Sequence, residues 1–381
     1  MSPEKKNRLI WIAAEPWDET NFARPQQIPL LLADRGWTVD YVVAGPSWLR
    51  QIRRKSEDDW TIKRTSNDGL SVRYLSAPLP GAHRFSIARA FNAHVLRQQM
   101  KSMSSMENWN NPLYVVNSPA LLEFWPPDSR LVYDCHDDIR TFSWTTPAYK
   151  RVESSIFSRA SAVVFSAAPL LDRYASRCRR AVLIRNGCHP EDFMVEPTTA
   201  IPEDLQEIPE PRVGFHGLLG HWLDYDLIGA AARKTPEAHW VFIGRSEVAP
   251  DVLPKADNIH YLGKRPYEQL GRYMNGFRAM VLPFQVNRLT EAVNPVKVYE
   301  YLAGGKPVVS TPMPEVLELA EAGLVDICDH AGSFAQSIMK ALHTPVEEMD
   351  REKRMRFAQT QSWEHRVDLY ESLLREVLRG A

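Results

Sequence analysis

The chain is expected to be an α/β protein made of two doubly wound, Rossmann-like domains, and three observations predict this. Short aliphatic and β-branched runs alternate with longer stretches of helical periodicity, the pattern that gives parallel sheets covered by helices. The alternation lapses once, between Val195 and Arg212, where Pro197, Pro202, Pro209 and Pro211 stand among acidic residues as in a linker. The charge changes sign there too: residues 1–190 hold 26 Lys/Arg and 18 Asp/Glu, a balance of +8, and residues 191–381 hold 20 and 29, a balance of −9. A length of 381 residues suffices for two cores of ordinary size. The expected division is 1–195, 196–362 and a last helix, 363–381.

The elements follow in order. Leu9–Ala14 reads as the first strand, Glu15 to Arg24 as a polar loop, and the residues to Asp34 as a helix that Gly36 ends. Thr38–Val43 is the second expected strand, followed by Leu113–Asn117, Leu131–Cys135, Ala162–Phe165 and Ala181–Ile184. Residues 84–101 carry Arg84, Arg89, Arg97 and Lys101 beside Phe85, Ile87, Phe91, Val95 and Leu96. That is a basic amphipathic helix, suited equally to a membrane surface and to the outside of the domain. Beyond the linker, strands are expected at Arg212–His216, His239–Ile243, Asn258–Leu262, Ala279–Pro283, Pro307–Ser310 and Leu324–Ile327, and a helix over Trp363–Leu378.

Composition narrows the function class. Apolar residues make up 44% and charged residues 24%, as in a soluble globular protein. No apolar run is long enough to span a bilayer, and Leu9–Ala14 is too short for a secretory signal core. Cys135, Cys178, Cys188 and Cys328 form no C-x-x-C pair, which argues against a disulfide framework or zinc site and for a reducing cytoplasm. The basic half suits an anionic membrane surface or a lipid-phosphate substrate; the alternative is that the two halves simply attract each other. No nucleic-acid partner is expected.

The most informative stretch is Asn294–Ser310, Asn-Pro-Val-Lys-Val-Tyr-Glu-Tyr-Leu-Ala-Gly-Gly-Lys-Pro-Val-Val-Ser. Asn294 suits an N-cap, Pro295 the first helical position, Gly304 or Gly305 a left-handed stop, and Pro307–Val309 an interior strand. Lys297 and Glu300 lie three residues apart and project from one face near the helix start. A lysine at a helix N-terminus favours phosphate, and a carboxylate one turn further in can accept hydrogen bonds from a sugar diol. Phosphate and diol together suggest a nucleotide; a solvent-exposed Lys–Glu pair is the bland alternative.

The run resembles the donor-sugar motif P-x-K-x-x-E-Y-x-A-x-G-x-P-V-V of GT-B glycosyltransferases, in particular the family-4-like group. The resemblance implies a GT-B fold: two Rossmann-like domains facing a cleft, with the last helix crossing back to the first domain. It implies that Glu300 holds the ribose of a nucleotide sugar, UDP-linked by frequency in the family. Lys297, Asn294 and the turn around Gly217 would hold the diphosphate.

Gly214-Phe215-His216-Gly217-Leu218-Leu219-Gly220-His221-Trp222 joins an expected strand to a helix, and its glycine spacing is not the dinucleotide fingerprint. Where many members of the family bring an arginine and a lysine to the phosphate, this chain has Trp222, Asp224 and Asp226. Lys297, with His221 or Arg245, would have to replace that clamp. Asp224-Tyr225-Asp226 has the D-x-D form of a metal motif but reads better as helix-start dipole partners. No metal and no cofactor beyond the nucleotide-sugar co-substrate are expected.

In the first half, Tyr133-Asp134-Cys135-His136-Asp137-Asp138 ends an expected strand, where open α/β sheets bind ligands. His136 and Asp137 are the candidate catalytic residues, an imidazole and a carboxylate able to act on an acceptor hydroxyl, with a hydrogen-bonded structural turn as the alternative. Glu15–Gln27, with its W-D…R-P-Q-Q pattern, resembles a subset of bacterial polysaccharide glycosyltransferases. It offers Trp17, Asp18 and Arg24 as acceptor-binding candidates, or else Trp17 and Phe22 pack the helix onto the sheet. Arg185–Phe193 resembles the family's I-x-N-G-x-x-x-x-x-F segment before the hinge, and Asn186-Gly187 forms a tight turn.

The resulting expectation is a metal-independent glycosyltransferase, cytoplasmic or peripheral at the inner face of the cytoplasmic membrane. It would move sugar from a nucleotide sugar to a glycan, glycolipid or lipid-linked acceptor in bacterial surface polysaccharide synthesis. Alternatives are a catalytically silent GT-B partner subunit and a GT-B nucleotide-sugar epimerase. Neither retention nor inversion of configuration follows from these residues.

Overall fold

The computed structural model describes residues 7–17, 22–44, 63–64, 69–75, 79, 85–106, 112–117, 130–143, 145–345 and 347–380. The chain forms two units: residues 1–185 with 366–381, and residues 186–365. The division falls at Arg185/Asn186, ten residues before the expected boundary at 195. The proline-rich run is no free linker. Its Leu205 is fully buried in the second unit's core, and the Asn275 amide donates to Glu196 O at 2.8 Å.

The first unit holds an eight-stranded sheet in the order β3-β4-β2-β1-β5-β6-β7-β8. The strands are β1 (Arg8–Ala13), β2 (Thr38–Ala44), β3 (Lys63–Arg64), β4 (Leu70–Leu75), β5 (Leu113–Val116), β6 (Leu131–Cys135), β7 (Ala162–Phe165) and β8 (Ala181–Leu183). All neighbours are parallel except β3 with β4. Strand order reverses at β1/β5, so the ends of β1, β5 and β6 flank the point where ligands enter such sheets.

Sequence periodicity misses β3 and β4. The reason for β4 is charge: Arg73 lies buried within the strand because Asp40 on β2 receives its Nε at 2.6 Å and Arg8 Nη1 at 2.9 Å. A paired arginine behaves as part of the core, although its residue type reads as surface.

The second unit is a six-stranded parallel sheet, β11-β10-β9-β12-β13-β14. Here β9 is Arg212–His216, β10 His239–Ile243, β11 Ile259–Gly263, β12 Ala279–Leu282, β13 Val308–Ser310 and β14 Asp326–Ile327. This is the doubly wound order with its switch point at β9/β12. The helix Val296–Ala303 precedes β13, and Gly305, at φ 69°, makes the left-handed stop expected of it. The last helix, Trp363–Arg379, begins in the second unit and continues on the first, where Trp37 Nε1 and Arg35 Nη1 donate to Glu371 and Arg35 also pairs with Asp368 at 2.6 Å.

One buried ion pair organises the ligand-facing end of the first sheet. Arg24, at the start of the helix Arg24–Asp34, donates Nε and Nη2 to the Asp134 carboxylate on β6 at 2.8–3.1 Å. Its Nη1 donates to the carbonyls of Ile184 and Arg185 beyond β8, at 2.9 and 3.2 Å. Removing one partner leaves an uncompensated buried charge. Arg24→Ala is therefore expected to destabilise the protein by ~3–5 kcal/mol, with Arg24→Met/Asp134→Leu recovering most of the loss. Urea unfolding of the two variants checks this.

Candidate functional site

Each unit gathers titratable groups at the carboxyl ends of its central strands. In the second unit β9 ends in His216, and Gly217 turns the chain at φ 137°, a conformation that a side chain would strain. The turn is also filled from outside. A Cβ on Gly217 would stand 1.8 Å from Lys297 Cε and 2.7 Å from its Nζ, so the lysine side chain lies directly against this backbone.

Glu300, one turn on from Lys297, brings Oε2 to 3.7 Å from His216 Nδ1. The His216 ring stacks on Phe193 at 5.6 Å, and its backbone is held by Tyr301, whose hydroxyl accepts from the N–H at 3.2 Å and donates to the carbonyl at 3.3 Å.

Burial dominates the electrostatics of this cluster. It lowers the Lys297 pKa against the pull of Glu300, and it lifts Glu300 to about 7 against Lys297 and His189. His216 is pushed down to about 3 by burial and then by Lys297, so it is a neutral imidazole, and its Nε2 has no hydrogen-bond partner. Three groups whose pKa values burial moves, gathered around one glycine turn, mark a candidate site for a charged ligand.

Asn294 has a different role from the one expected. The helix begins one residue later, with Pro295 in the N-cap position and no side-chain cap. The buried Asn294 amide instead donates to Tyr299 Oη at 2.8 Å and Glu315 Oε2 at 2.7 Å, and accepts from Asn186 N–H at 3.0 Å. Fully engaged, it is a clamp between the start of the unit and the helix, with nothing left for a ligand.

Arg245 continues β10, and its carbonyl accepts from Leu219 N–H at 2.9 Å, but its exposed guanidinium pairs with Glu247 at 2.7 Å. His221 is exposed and edges onto Trp222 at 5.2 Å. Neither side chain is brought to the Gly217–Lys297–Glu300 cluster. Asp224 caps the helix Tyr225–Lys234 by accepting from Leu227 N–H at 2.8 Å, the dipole role expected of it, and Asp226 lies in its first turn.

In the first unit the carboxylates after β6 divide by task. Asp134 is consumed by Arg24. Asp138 caps the turn Ile139–Thr141 and receives Tyr174 Oη at 3.0 Å and Arg173. Asp137 remains, with Oδ2 3.4 Å from His136 Nε2.

Burial works against a charge on His136, but Asp137, then Glu15 and Asp134, outweigh it and hold the imidazole pKa above its ordinary value. Burial lifts the Asp137 carboxyl, partly offset by His136. The pair can hold a proton near neutrality and move it, as acid–base work requires. His136 Nδ1 is buried without a partner, and the residue is fixed by Ser166 Oγ donating to its carbonyl at 2.8 Å.

Sequence reasoning missed two neighbours here. Glu15, just beyond β1, accepts from Asn117 Nδ2, just beyond β5, at 3.0 Å, and Asn117 Oδ1 has no partner. Their positions after adjacent central strands were the available signal.

The acceptor-binding candidates fare differently. Trp17 is 7% exposed and packs edge-on against Phe22 and Tyr41 at 5.1 and 5.0 Å, so it belongs to the core. Arg24 is spent on Asp134 and two carbonyls. Asp18 lies outside the described residues.

Residues 210–344 match the family described as glycosyl transferases group 1. The match is confined to this segment of the second unit. It contains Gly217, Lys297 and Glu300. A teichuronic acid biosynthesis glycosyltransferase assignment attaches to a similar protein, TuaH of Bacillus subtilis strain 168, which is 26% identical over 258 residues. The match covers 61% of this chain and 64% of that relative, so the chain spans somewhat less than two thirds of its length.

Among solved structures, sucrose-phosphate synthase of Thermosynechococcus elongatus is similar with a TM-score of 0.75 at 15% identity, covering 99% of this chain and 100% of that one. A trehalose-6-phosphate structure from E. coli bound with UDP-2-fluoro glucose has a TM-score of 0.69 at 12% identity, covering 97% and 99%. WaaG, a glycosyltransferase involved in lipopolysaccharide biosynthesis, has a TM-score of 0.62 at 13% identity, covering 96% and 99%. The fold is GT-B.

The contact between Gly217 and Lys297 is open to a direct test. Gly217→Ala is expected to cost ~1–3 kcal/mol of stability, and Lys297→Ala in the same chain is expected to return part of that cost. A double-mutant cycle by thermal or urea unfolding should show a coupling of ~0.5–3 kcal/mol; additive effects would mean that the side chain does not occupy the turn.

Proposed function

We propose that this protein is a glycosyltransferase that takes a sugar from a nucleotide diphosphate sugar, UDP-linked, and joins it to a glycan, glycolipid or lipid-linked acceptor of a bacterial cell-surface polysaccharide. The single observation that carries the reading is the lysine and carboxylate of one helix turn set against the Gly217 turn, at the sheet's switch point and within the segment that matches group 1 glycosyl transferases.

The chemistry of the donor follows from these groups. The diphosphate lies at the N-terminus of Val296–Ala303, where free N–H groups, the helix dipole and Lys297 favour negative charge. Glu300 accepts from the ribose diol. As the glycosidic bond to the donor breaks, charge grows on the departing diphosphate, and Lys297 with the helix terminus stabilises it without a metal ion. An anion beside Lys297 also offsets the burial that lowers its pKa.

In the first unit, the His136–Asp137 pair orients the acceptor hydroxyl or takes its proton, and Glu15, held by Asn117, contributes to its field. UDP as the nucleotide is supported by the UDP-2-fluoro glucose bound to a protein of the same fold, and the polymer class by the similarity to TuaH. A lipid-linked acceptor would place the protein at the inner face of the cytoplasmic membrane.

Calorimetry with UDP, GDP, dTDP and ADP, with and without EDTA, tests the donor site. One diphosphate is expected to bind, UDP foremost, and EDTA to leave its affinity unchanged. Glu300→Ala should weaken that binding by roughly 10–100-fold, the loss of hydrogen bonds to a charged group. His136→Ala should spare nucleotide binding and slow transfer by roughly 100-fold or more. Unchanged nucleotide affinity in Glu300→Ala would remove the donor-site assignment.

A further inference from the structure

His216 is the one group of the second unit's cluster to which the donor chemistry gives no task. Its side chain is buried between two aromatic rings. Phe193 lies face to face with it, the planes 5° apart and the centroids 5.6 Å, and Tyr301 meets it edge-on at 4.9 Å. The Tyr301 hydroxyl also bonds the His216 N–H and carbonyl, so main chain and ring are wedged together.

A neutral imidazole carries one proton, and its two nitrogens compete for it. Nε2 is buried and has no hydrogen-bond partner, whereas Nδ1 faces Glu300 Oε2 at 3.7 Å. A buried N–H aimed at nothing is costly, so the proton belongs on Nδ1, the nitrogen with an acceptor within reach. At 3.7 Å the contact is still too long for a hydrogen bond. The ring cannot swing to shorten it, but the Glu300 side chain, the less buried of the two, can close it by rotation.

The other groups facing Glu300 act by charge or stand neutral beside it. Lys297 and His189 favour the ionised carboxylate, Asp192 disfavours it, and the phenols of Tyr267 and Tyr301 stay protonated through burial. Attraction between charges is nearly indifferent to rotation of a carboxylate. A hydrogen bond from a fixed ring selects one rotation.

We propose that His216 is a positioning residue for Glu300: its Nδ1–H donates to Oε2 of the ionised carboxylate and leaves Oε1 turned to the ribose diol. The proposal rests on the reading of Glu300 as the ribose ligand, and the two can fail separately.

The test is calorimetric UDP binding between about pH 5.5 and 9, for the wild type, His216→Phe, His216→Asn, His216→Gln and Glu300→Gln. The ionisation of UDP itself is common to all five proteins, and Glu300→Gln supplies that baseline. Wild-type affinity is expected to rise above the baseline through pH 7, as Glu300 loses its proton. His216→Phe keeps the stacking on Phe193 but has no donor, so the rise should move up by about one to two pH units. His216→Asn places an amide N–H where Nδ1 stood and should return the rise to its wild-type position. His216→Gln reaches the place of Nε2 instead and should behave as His216→Phe does. If His216→Phe does not fold, the asparagine and glutamine variants carry the same comparison.

Coincident rises in the wild type and His216→Phe, or in His216→Asn and His216→Gln, overturn the proposal while leaving Glu300 as the ribose ligand. A Glu300→Gln profile identical to the wild type's, or no UDP binding by the wild type, removes the ribose reading and the positioning role with it.

Discussion

The second unit's site depends on a space that a missing side chain leaves. β9 and its turn could carry many sequences, but Gly217 alone lets the Lys297 stem lie against the backbone at the end of the sheet. From that contact the rest follows. The lysine is removed from water, Glu300 shares its burial, and His216 is kept neutral beside both. Burial moves the pKa of each group, so the charge balance of the cluster would respond strongly to a charged ligand.

The clamp made by Asn294 explains why this geometry is held rather than sampled. It ties the helix carrying Lys297 and Glu300 to the first residues of the unit through Asn186, and to the next helix through Glu315. In the first unit Arg24 has the corresponding task, fixing the strand whose end presents His136 and Asp137. Both residues look like binding groups in the sequence and both are framework. Their hydrogen-bonding capacity is used inward, which frees the residues next to them to face a ligand.

This distinction marks what was legible in the sequence. Strands with uninterrupted apolar runs, such as β1, β7 and β12, lie where periodicity puts them, because burial on both faces demands that composition. The strand Leu70–Leu75 was hidden by a buried arginine whose partner sits 33 positions away. Lys297 and Glu300 lie one turn apart on the helix Val296–Ala303, so local spacing already encodes their proximity, whereas Gly217 meets Lys297 only through the fold. Trp17, Asn294 and the pairing of Glu15 with Asn117 depend on contacts between distant segments, and no local pattern reports those. His136 and Asp137 were legible as a pair, but which of three neighbouring carboxylates stays available was decided by Arg24, Arg173 and Tyr174.

The central claim is that Glu300, partly protonated near neutrality by its burial, must be ionised to receive the ribose diol. It is tested most directly by counting protons. Calorimetric titration of UDP at pH 7 in buffers of different ionisation enthalpy gives the protons exchanged on binding, for the wild-type protein and for Glu300→Gln. With a Glu300 pKa of about 7, the account predicts that the wild type releases a fraction of a proton more than the variant, which also binds more weakly. Equal proton exchange in the two proteins, with equal affinity, would contradict it.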